Sequence, residues 1–216
     1  MATRQPDLTA PRQERSRATR ERILGALARL LERTTFDQIS VAEVTAAAGC
    51  SMSSFYARFP SKEALLDAFL DRFFEFSAGE VSRALSQIAA AAGAANRARR
   101  LVEFMLRSYR AYRGLLRSLI LHDRTHPDTG FGSRTRAYKR QVSAAFLSLL
   151  LGEDAAAANP RLAASASFGL WLVIHAIEQI VLFDDPIMGR GQISERQLVE
   201  QLTAVLLRTL EPREEA

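Results

Sequence analysis

The chain has 216 residues and a formal net charge of +5, with 25% charged and 48% apolar residues. These values lie in the ordinary range of globular proteins with a substantial core. The single cysteine, Cys50, excludes an internal disulfide and fits a reducing compartment. The first 22 residues contain no continuous apolar stretch of the kind found in secretory signals. The apolar segment 168–183 is interrupted by polar residues, and we predict that it is too short and too polar to span a bilayer. We therefore expect a soluble, cytoplasmic protein.

Apolar residues recur with helical spacing nearly throughout the chain, and no strand alternation or internal repeat is visible. The pattern predicts an all-α protein of about nine helices. Residues 1–11 hold two prolines and no apolar period, which indicates a flexible N-terminal arm. We place an N-terminal three-helix domain at residues 12–60 and a C-terminal helical bundle at residues 61–216.

The segment from Ser40 to Glu63 predicts two short helices joined by a tight turn and followed by the start of a third. Ser40 and Glu43 have the spacing of a capping box, in which each side chain accepts a hydrogen bond from the backbone of the other residue. Gly49 stands where a helix ends in a left-handed residue, and Ser51 can cap the helix that follows. Two helices linked by a short turn that contains glycine are typical of the helix-turn-helix, whose second helix enters the major groove of DNA.

The second short helix carries side chains that suit a DNA-reading surface. Recognition helices present short polar groups to base edges because the backbone must come close to the groove, and we expect Phe55 to turn inward. Lys62 lies in the first turn of the following helix, where its charge and free backbone amides can meet a phosphate. Residues 1–62 carry ten basic and six acidic side chains, a modest excess that favours a polyanion. The predicted DNA-binding residues are Ser40, Thr45, Ser51, Met52, Ser53, Ser54, Tyr56, Arg58 and Lys62.

The region from Phe36 to Leu66 resembles the TetR-type (tetracycline-repressor-like) transcriptional regulators. The residues that carry this resemblance are Ala48, Gly49, Cys50, Ser51, Phe55, Tyr56, Phe59, Pro60, Ser61, Lys62, Glu63, Leu65 and Leu66. The resemblance implies that Tyr56 places its hydroxyl on a DNA phosphate. It also implies that residues 61–216 bind a small apolar or amphipathic effector, which releases a repressor from its operator. Ala57 departs from the family pattern, since an imidazole is frequent there, and Arg58 is a candidate for supplying the missing charge.

Aromatic residues on separate predicted helices of the second domain are candidates for lining one effector cavity. The alternative is that they fill the core, as such side chains usually do. His175 and Glu178 have helical i, i+3 spacing, so they form either a satisfied pair or the polar anchors of a ligand site. The predicted ligand-binding residues are Phe73, Phe104, Tyr109, Phe146, Trp171 and His175.

A single helix-turn-helix makes too few contacts for specific binding, so we expect a homodimer on a palindromic operator. The helix that begins at Pro160 is apolar nearly all round, which indicates burial on two sides. We expect the last two long helices to pack with their copies as a four-helix bundle. The predicted interface residues are Phe168, Ile174, Val181, Leu202, Val205 and Leu206.

Two other functions compete with this interpretation. His122, Asp123 and His126 form an HDxxH cluster, whose imidazole spacing is that of helical metal sites in metal-dependent hydrolases. However, Pro127 disfavours continued helix at His126, and the ligand set is incomplete. The other competitor is a nonspecific DNA-binding protein, which would carry more positive charge spread more widely. We predict a regulator that is not an enzyme and has no metal or other cofactor, with operator DNA, a small effector and a second copy as partners.

Overall fold

A computed structural model of the protein describes residues 12–127, 130–152, 159–183 and 193–211, and the predicted arm at residues 1–11 lies outside these ranges. Nine α-helices and no strand occur in the described part of the chain, which confirms the predicted all-α class. The helices are α1 (Arg12–Leu31), α2 (Val41–Ala48), α3 (Met52–Tyr56), α4 (Lys62–Ala89), α5 (Ala94–Ala111), α6 (Arg113–Thr125), α7 (Gly130–Leu151), α8 (Pro160–Ile177) and α9 (Glu195–Leu210).

The chain forms two compact units, Met1–Arg72 and Phe73–Ala216. The boundary falls within α4, so the first turns of that helix belong to the first unit. The division predicted at residues 60 and 61 instead assigns the whole of α4 to the second domain. The first turns of α4 contribute apolar side chains to the core of the first unit. A boundary defined by packing therefore falls later in the chain than one placed at the start of the helix.

The core of the first unit is built from one apolar face of each of its helices. Helix α1 buries a stripe of aliphatic side chains with helical spacing, and a short 3-10 turn, Phe36–Gln38, adds an aromatic ring. Burial of such side chains stabilises the unit by about 1.5 to 3 kcal/mol for each large residue. The fully buried large side chains of this unit are Ile23, Leu24, Leu27, Leu31, Phe36, Phe55, Leu65 and Leu70.

The second unit has a continuous core to which α5, α7, α8 and α9 all contribute. Asn159 caps α8 by accepting a hydrogen bond from the backbone amide of Leu162, and Pro160 occupies the first turn. Ser194 and Gln197 form a capping box at the start of α9, with the Ser-x-x-Gln spacing typical of helix starts. Gly169 allows α8 and α9 to approach closely, since a Cβ at this position would overlap the Thr209 side chain.

Helix α8 continues as a π-helical segment, Glu178–Leu182, which the sequence pattern does not predict. The combined helix Pro160–Leu182 has 23 residues and a mean hydropathy of 1.5, so it is long and apolar enough to cross a membrane. The helix thus begins eight residues before the apolar segment 168–183 on which the prediction was based. However, 44% of its most apolar window is buried within the protein, and core helices of soluble proteins meet the same criterion.

Candidate nucleic-acid interface and ligand cavity

Hydrogen bonds at the helix ends shape the turn between α2 and α3. The Ser40 hydroxyl accepts the backbone N–H of Glu43 at 3.2 Å, and the Glu43 carboxylate accepts the backbone N–H of Ser40 at 2.8 Å. Because the ionised carboxylate receives these bonds, the backbone and side chain of Ser40 lower the pKa of Glu43. Gly49 ends α2 at φ 62°, in the left-handed region, and Ser51 caps α3 by accepting the backbone N–H of Ser54.

The single turn of α3 separates an inward from an outward face. Phe55 is fully buried, and its ring contacts those of Tyr56 and Phe59 at centroid distances of 5.2 and 5.7 Å. Met52 and Tyr56 are 44% and 51% exposed, although large apolar and aromatic side chains are usually buried. The expected inward orientation of Phe55 is therefore confirmed, and it fixes the outward orientation of its neighbours.

A group of serine hydroxyls lies at the N-terminal end of α3. The Ser51 hydroxyl lies 2.9 Å from that of Ser53 and donates to that of Ser54 at 3.0 Å. Ser51 and Ser53 are exposed and Ser54 is half-buried. The exposed surface thus combines small polar groups with Met52 and Tyr56, which suits contact with base edges and phosphates.

Two of the predicted DNA contacts have other partners in the structure. Thr45 is buried, and its hydroxyl donates to the carbonyl of Ala42 at 2.9 Å. The Lys62 ammonium donates to the carbonyls of Phe36 and Ile39 at 2.9 and 2.8 Å, and it lies 4.4 Å from the centre of the Phe36 ring. Thr45 is therefore wrongly predicted as a surface contact, while Lys62 stabilises the turn before α2.

Arg58 links two helices within the first unit. Its Nε donates to the carbonyl of Ser16 on α1 at 3.2 Å, and its Nη1 donates to the carbonyl of Ser54 on α3 at 2.7 Å. A guanidinium has five N–H donors, so these bonds leave donors for another acceptor. The predicted phosphate contact of Arg58 stays a prediction, and the observed bonds show in addition that Arg58 helps to position α3.

The second unit encloses a cavity of about 530 Å³, within the usual range for small-molecule sites. The six aromatic residues that the sequence singles out all line it, although they come from α4, α5, α7 and α8. The structure therefore brings together Phe73, Phe104, Tyr109, Phe146, Trp171 and His175.

Pairs of aromatic rings make up much of the cavity wall. Phe74 and Tyr138 are stacked, with ring centroids 4.4 Å apart and an interplanar angle of 12°. Phe73 and Tyr112 meet edge to face at 6.2 Å. Phe74, Tyr112 and Tyr138 also line the cavity but are not among the residues predicted from the sequence. Helical spacing identifies a stripe but does not tell which of its members meet a cavity.

The polar part of the cavity is centred on Glu178, whose side chain is only 4% exposed. The Tyr109 hydroxyl and the Lys139 ammonium donate to its Oε1 at 3.2 and 3.3 Å. Burial and the neighbouring Glu178 charge raise the pKa of Tyr109 well above its usual value. His175 Nε2 lies 4.0 Å from Oε2, too far for a hydrogen bond. Of the alternatives that the sequence leaves open, a satisfied His175–Glu178 pair is therefore not observed.

The residues predicted for the dimer interface divide into exposed and buried groups. Phe168 on α8 is 58% exposed and Val205 on α9 is 39% exposed. Ile174 is half-buried and lines the cavity. The prediction is wrong for Val181, Leu202 and Leu206, because these side chains are already buried in the core of one chain. Sequence periodicity identifies an apolar helix but does not tell which side its own subunit covers.

Two large side chains that the sequence did not assign to the interface extend the exposed surface of α8. Trp171 is 51% exposed and Leu172 is 36% exposed. The Phe168 and Trp171 rings are stacked with centroids 5.9 Å apart. We call Phe168, Trp171 and Leu172 the α8 apolar face. Exposed apolar patches are typical of surfaces that contact a protein partner or a membrane.

The HDxxH cluster is divided by the end of α6. The helix stops at Thr125, so His126 lies beyond it, as the following proline predicts. The His122 and His126 rings stack at 4.3 Å, and Phe131 packs its edge against His122. Asp123 lines the cavity, and its Oδ1 is buried against Gly132. The alternative of a metal site at these residues stays a prediction.

Comparison with known proteins identifies the first unit and the fold. Residues 23–69 match the family model of the bacterial regulatory proteins of the tetR family. This segment contains the turn, the caps and the exposed helix described above. The chain matches no curated protein sequence.

Solved structures share the fold over nearly the whole chain. A TetR transcription regulator from Haloarcula marismortui has a TM-score of 0.65 at 16% identity, covering 89% of this chain and 96% of its own. A TetR-family regulator from Streptomyces coelicolor has a TM-score of 0.63 at 17% identity, covering 90% and 95%. The fatty acid degradation regulator FadR from Bacillus halodurans has a TM-score of 0.60 at 19% identity, covering 98% and 100%. At these identities the likeness establishes the fold, and together with the family match it confirms the resemblance.

Proposed function

We propose that this chain, a TetR-type transcriptional regulator by its N-terminal module and its fold, is a cytoplasmic homodimer that binds a palindromic operator. In this proposal it acts as a repressor that a small apolar or amphipathic effector releases from DNA. The observation that carries the proposal is the outward display of Met52 and Tyr56 on α3, in a segment that matches the tetR family model. No other role readily explains why this turn buries Phe55 and exposes its large neighbours.

The proposed DNA surface follows from the exposed side chains of the first unit. In this proposal Ser53 and Met52 meet base edges and the Tyr56 hydroxyl donates to a phosphate, and the exposure of all three side chains supports these roles. Ser40, Ser51 and Ser54 supply further hydroxyls at the ends of α2 and α3. The proposed DNA contacts are Ser40, Ser51, Met52, Ser53, Ser54, Tyr56, Arg58 and Lys62.

The proposed dimer covers the α8 apolar face together with Val205 on α9. Leaving this surface in water is unfavourable by about 25 cal/mol for each Å² of apolar area. Packing α8 and α9 against the same helices of a second copy would bury it in a four-helix bundle. Insertion into a membrane is the alternative way to remove the α8 apolar face from water. The two alternatives can be distinguished, because the dimer is soluble and has twice the mass of one chain.

The proposed effector site is the cavity of the second unit. Its volume suits a small molecule, its wall is rich in aromatic rings, and its few polar groups gather around Glu178. Such a combination binds an apolar body and orients one polar group. An effector in this cavity would shift the equilibrium between conformations only through a difference in its affinity for them.

The test is a footprint of the full-length protein on the DNA that flanks its own gene, at a defined salt concentration, combined with sedimentation of the free protein. We expect a protected palindrome and a soluble dimer. Tyr56→Phe, which removes one hydroxyl, should weaken operator binding by about tenfold, since a hydrogen bond to a phosphate is charge-assisted. Tyr112→Phe, in the second unit, is the matched control and should bind as wild type.

Several outcomes would contradict the proposal. Uniform protection of all DNA would favour a nonspecific binding protein, and absence of any shift on every duplex would remove the DNA-binding role. A monomer in solution, or recovery of the protein in the membrane fraction, would contradict the dimer formed by the α8 apolar face.

A further inference from the structure

The cavity contains two hydrogen-bond acceptors that face each other with a gap between them. One is Glu178 Oε2 and the other is His175 Nε2, at a separation of 4.0 Å. Both Glu178 hydrogen bonds to described residues, from Tyr109 and Lys139, go to Oε1. Oε2 makes none within the part of the chain that the structure describes. Glu178 lines the cavity, so a donor from another molecule could supply the hydrogen bond that Oε2 does not receive from the described residues.

The tautomer of His175 follows from its other nitrogen. Nδ1 lies 2.9 Å from the carbonyl oxygen of Trp171, and a carbonyl only accepts, so Nδ1 carries a proton. In the neutral imidazole Nε2 is then an acceptor that points a lone pair away from this bond. Beside a neutral imidazole, a group placed between Nε2 of His175 and Oε2 of Glu178 donates to both.

The charges around the cavity favour a donor that is also positively charged. Glu178 is an acid that is almost fully buried, and its Oε1 is paired with the ammonium of the exposed Lys139. Its Oε2 has no such cation beside it, and Arg140, the other basic residue on the wall, is exposed. Asp123 adds a second carboxylate whose Oδ1 is buried and has no hydrogen-bond partner among the described residues. An anionic head group would meet repulsion from both carboxylates at the buried side, while a cation would be attracted there.

Aromatic rings next to the gap add to the same preference. The Trp171 and His175 rings lie 4.4 Å apart, and Tyr109 binds the same carboxylate. The face of an indole attracts a cation, and more strongly where water is excluded. The π-helical segment begins at Glu178, and such segments are frequent at functional sites because they change the direction of a side chain.

We propose that the effector is an amphipathic organic cation with at least one N–H donor, such as a primary amine. In this arrangement its ammonium group donates to Glu178 Oε2 and His175 Nε2, and its apolar body lies between the stacked rings of the cavity. This inference rests on the proposed effector role of the same cavity and narrows it to one ligand class.

The experiment compares four probes that share a dodecyl chain: dodecylammonium, dodecyltrimethylammonium, dodecanol and dodecanoate. Each is titrated, below its micelle concentration, into the full-length protein. The readout is the fluorescence of Trp171, which is the only tryptophan and lines the cavity. We expect dodecylammonium to bind about tenfold more tightly than dodecanol, and dodecanoate to bind most weakly. Dodecyltrimethylammonium, which has the charge without the donor, should bind more weakly than dodecylammonium.

Substitutions at Glu178 and His175 distinguish recognition of the head group from general affinity for the dodecyl chain. Glu178→Gln should weaken dodecylammonium by about tenfold and change dodecanol by no more than about twofold. Glu75→Gln, an exposed position on α4 with the same change of charge, is the matched control. Where Glu178→Gln does not fold, His175→Phe keeps an aromatic ring at a half-exposed site, and it should weaken dodecylammonium by about fivefold.

The outcomes distinguish this inference from the proposed function. Tighter binding of dodecanol or dodecanoate than of dodecylammonium would overturn the ligand class while supporting the effector site. Equal binding of dodecylammonium to wild type and Glu178→Gln would also overturn the proposed ligand class. Binding of none of the four probes would remove the effector role of the cavity and with it this inference.

Discussion

The two units of this protein differ in how their functional surfaces are made. In the first unit, the exposed helix α3 is shaped by neighbours in sequence: Ser51 caps it, Gly49 turns the chain before it and Phe55 anchors it. In the second unit, the cavity is formed by residues from α4, α5, α7 and α8 that lie far apart in sequence. A local surface can be recognised from a short motif, whereas a cavity depends on how whole helices pack.

This difference explains why the first unit can be similar to a family model while the second shows only a shared fold. Caps and turns restrict the residue types that can stand at each position. A cavity wall requires only that the side chains be large and apolar, and many sequences satisfy this condition. Three pairs of substitutions test the structural basis of this comparison, in order of the size of the expected effect.

The largest effect is expected from Phe55→Ala in the first unit. The ring is fully buried against Tyr56 and Phe59, so its removal leaves a cavity and should destabilise the unit by about 3 to 5 kcal/mol. We expect loss of operator binding, measured by mobility shift, and a lower urea midpoint by circular dichroism. Binding of an apolar probe, followed by Trp171 fluorescence, should persist.

Met52→Ala is the control for this change. Met52 lies on the same helix but is 44% exposed. The free energy of unfolding of the Met52→Ala variant should therefore stay within about 0.5 kcal/mol of wild type. Loss of the Trp171 signal in Phe55→Ala would show that the two units unfold together rather than independently.

The sequence alone predicts the parts of this structure that depend on local chemistry. The capping boxes, the left-handed Gly49 and the inward Phe55 follow from rules that involve a few consecutive residues, and all are observed. The burial of Thr45 and the carbonyl contacts of Lys62 could not be predicted, because each depends on a partner elsewhere in the fold.

The same limit applies to the second unit. The aromatic stripes indicate six cavity residues, but the interface residues Val181, Leu202 and Leu206 were assigned to the wrong side of their helices. A helix that is apolar all round carries no signal for which side its own subunit covers. Likewise, the π-helical segment depends on packing rather than on a residue such as proline that sequence reading detects.

Substitutions at two glycines test packing in the second unit. Their expected effects on stability are smaller than that of Phe55→Ala and opposite in sign to each other. Gly169→Ala would drive a Cβ into the Thr209 side chain, and we expect a loss of about 1 to 3 kcal/mol from overpacking between α8 and α9. Gly79→Ala, in α4, meets open space within 4 Å and should stabilise by about 0.5 to 1 kcal/mol because alanine favours the helix. Urea unfolding followed by Trp171 fluorescence measures both. Equal effects at the two positions would contradict the close approach of α8 and α9.

The smallest effect compares the capping box of Ser40 and Glu43 in the first unit with that of Ser194 and Gln197 in the second, through their response to acid. Ser40→Ala and Ser194→Ala each remove a cap, and both should cost about 1 kcal/mol near pH 7. Only the first box contains an ionisable partner, since Ser40 faces Glu43 while Ser194 faces Gln197. Hydrogen bonds from Ser40 hold the pKa of Glu43 below its ordinary value of 4.5.

The sign of the pH effect follows from this lowered pKa. A carboxyl whose pKa is lower in the folded state stabilises that state above its unfolded pKa, and the stabilisation is lost as the pH falls through the folded pKa. The cost of Ser40→Ala should therefore decrease as the pH falls below 4.5, whereas the cost of Ser194→Ala should stay constant. Thermal unfolding of both variants and wild type near pH 7 and near pH 3 provides the comparison. Parallel loss in both variants would show that acid weakens the helices generally, and that the charge of Glu43 has no special part in holding the start of α2.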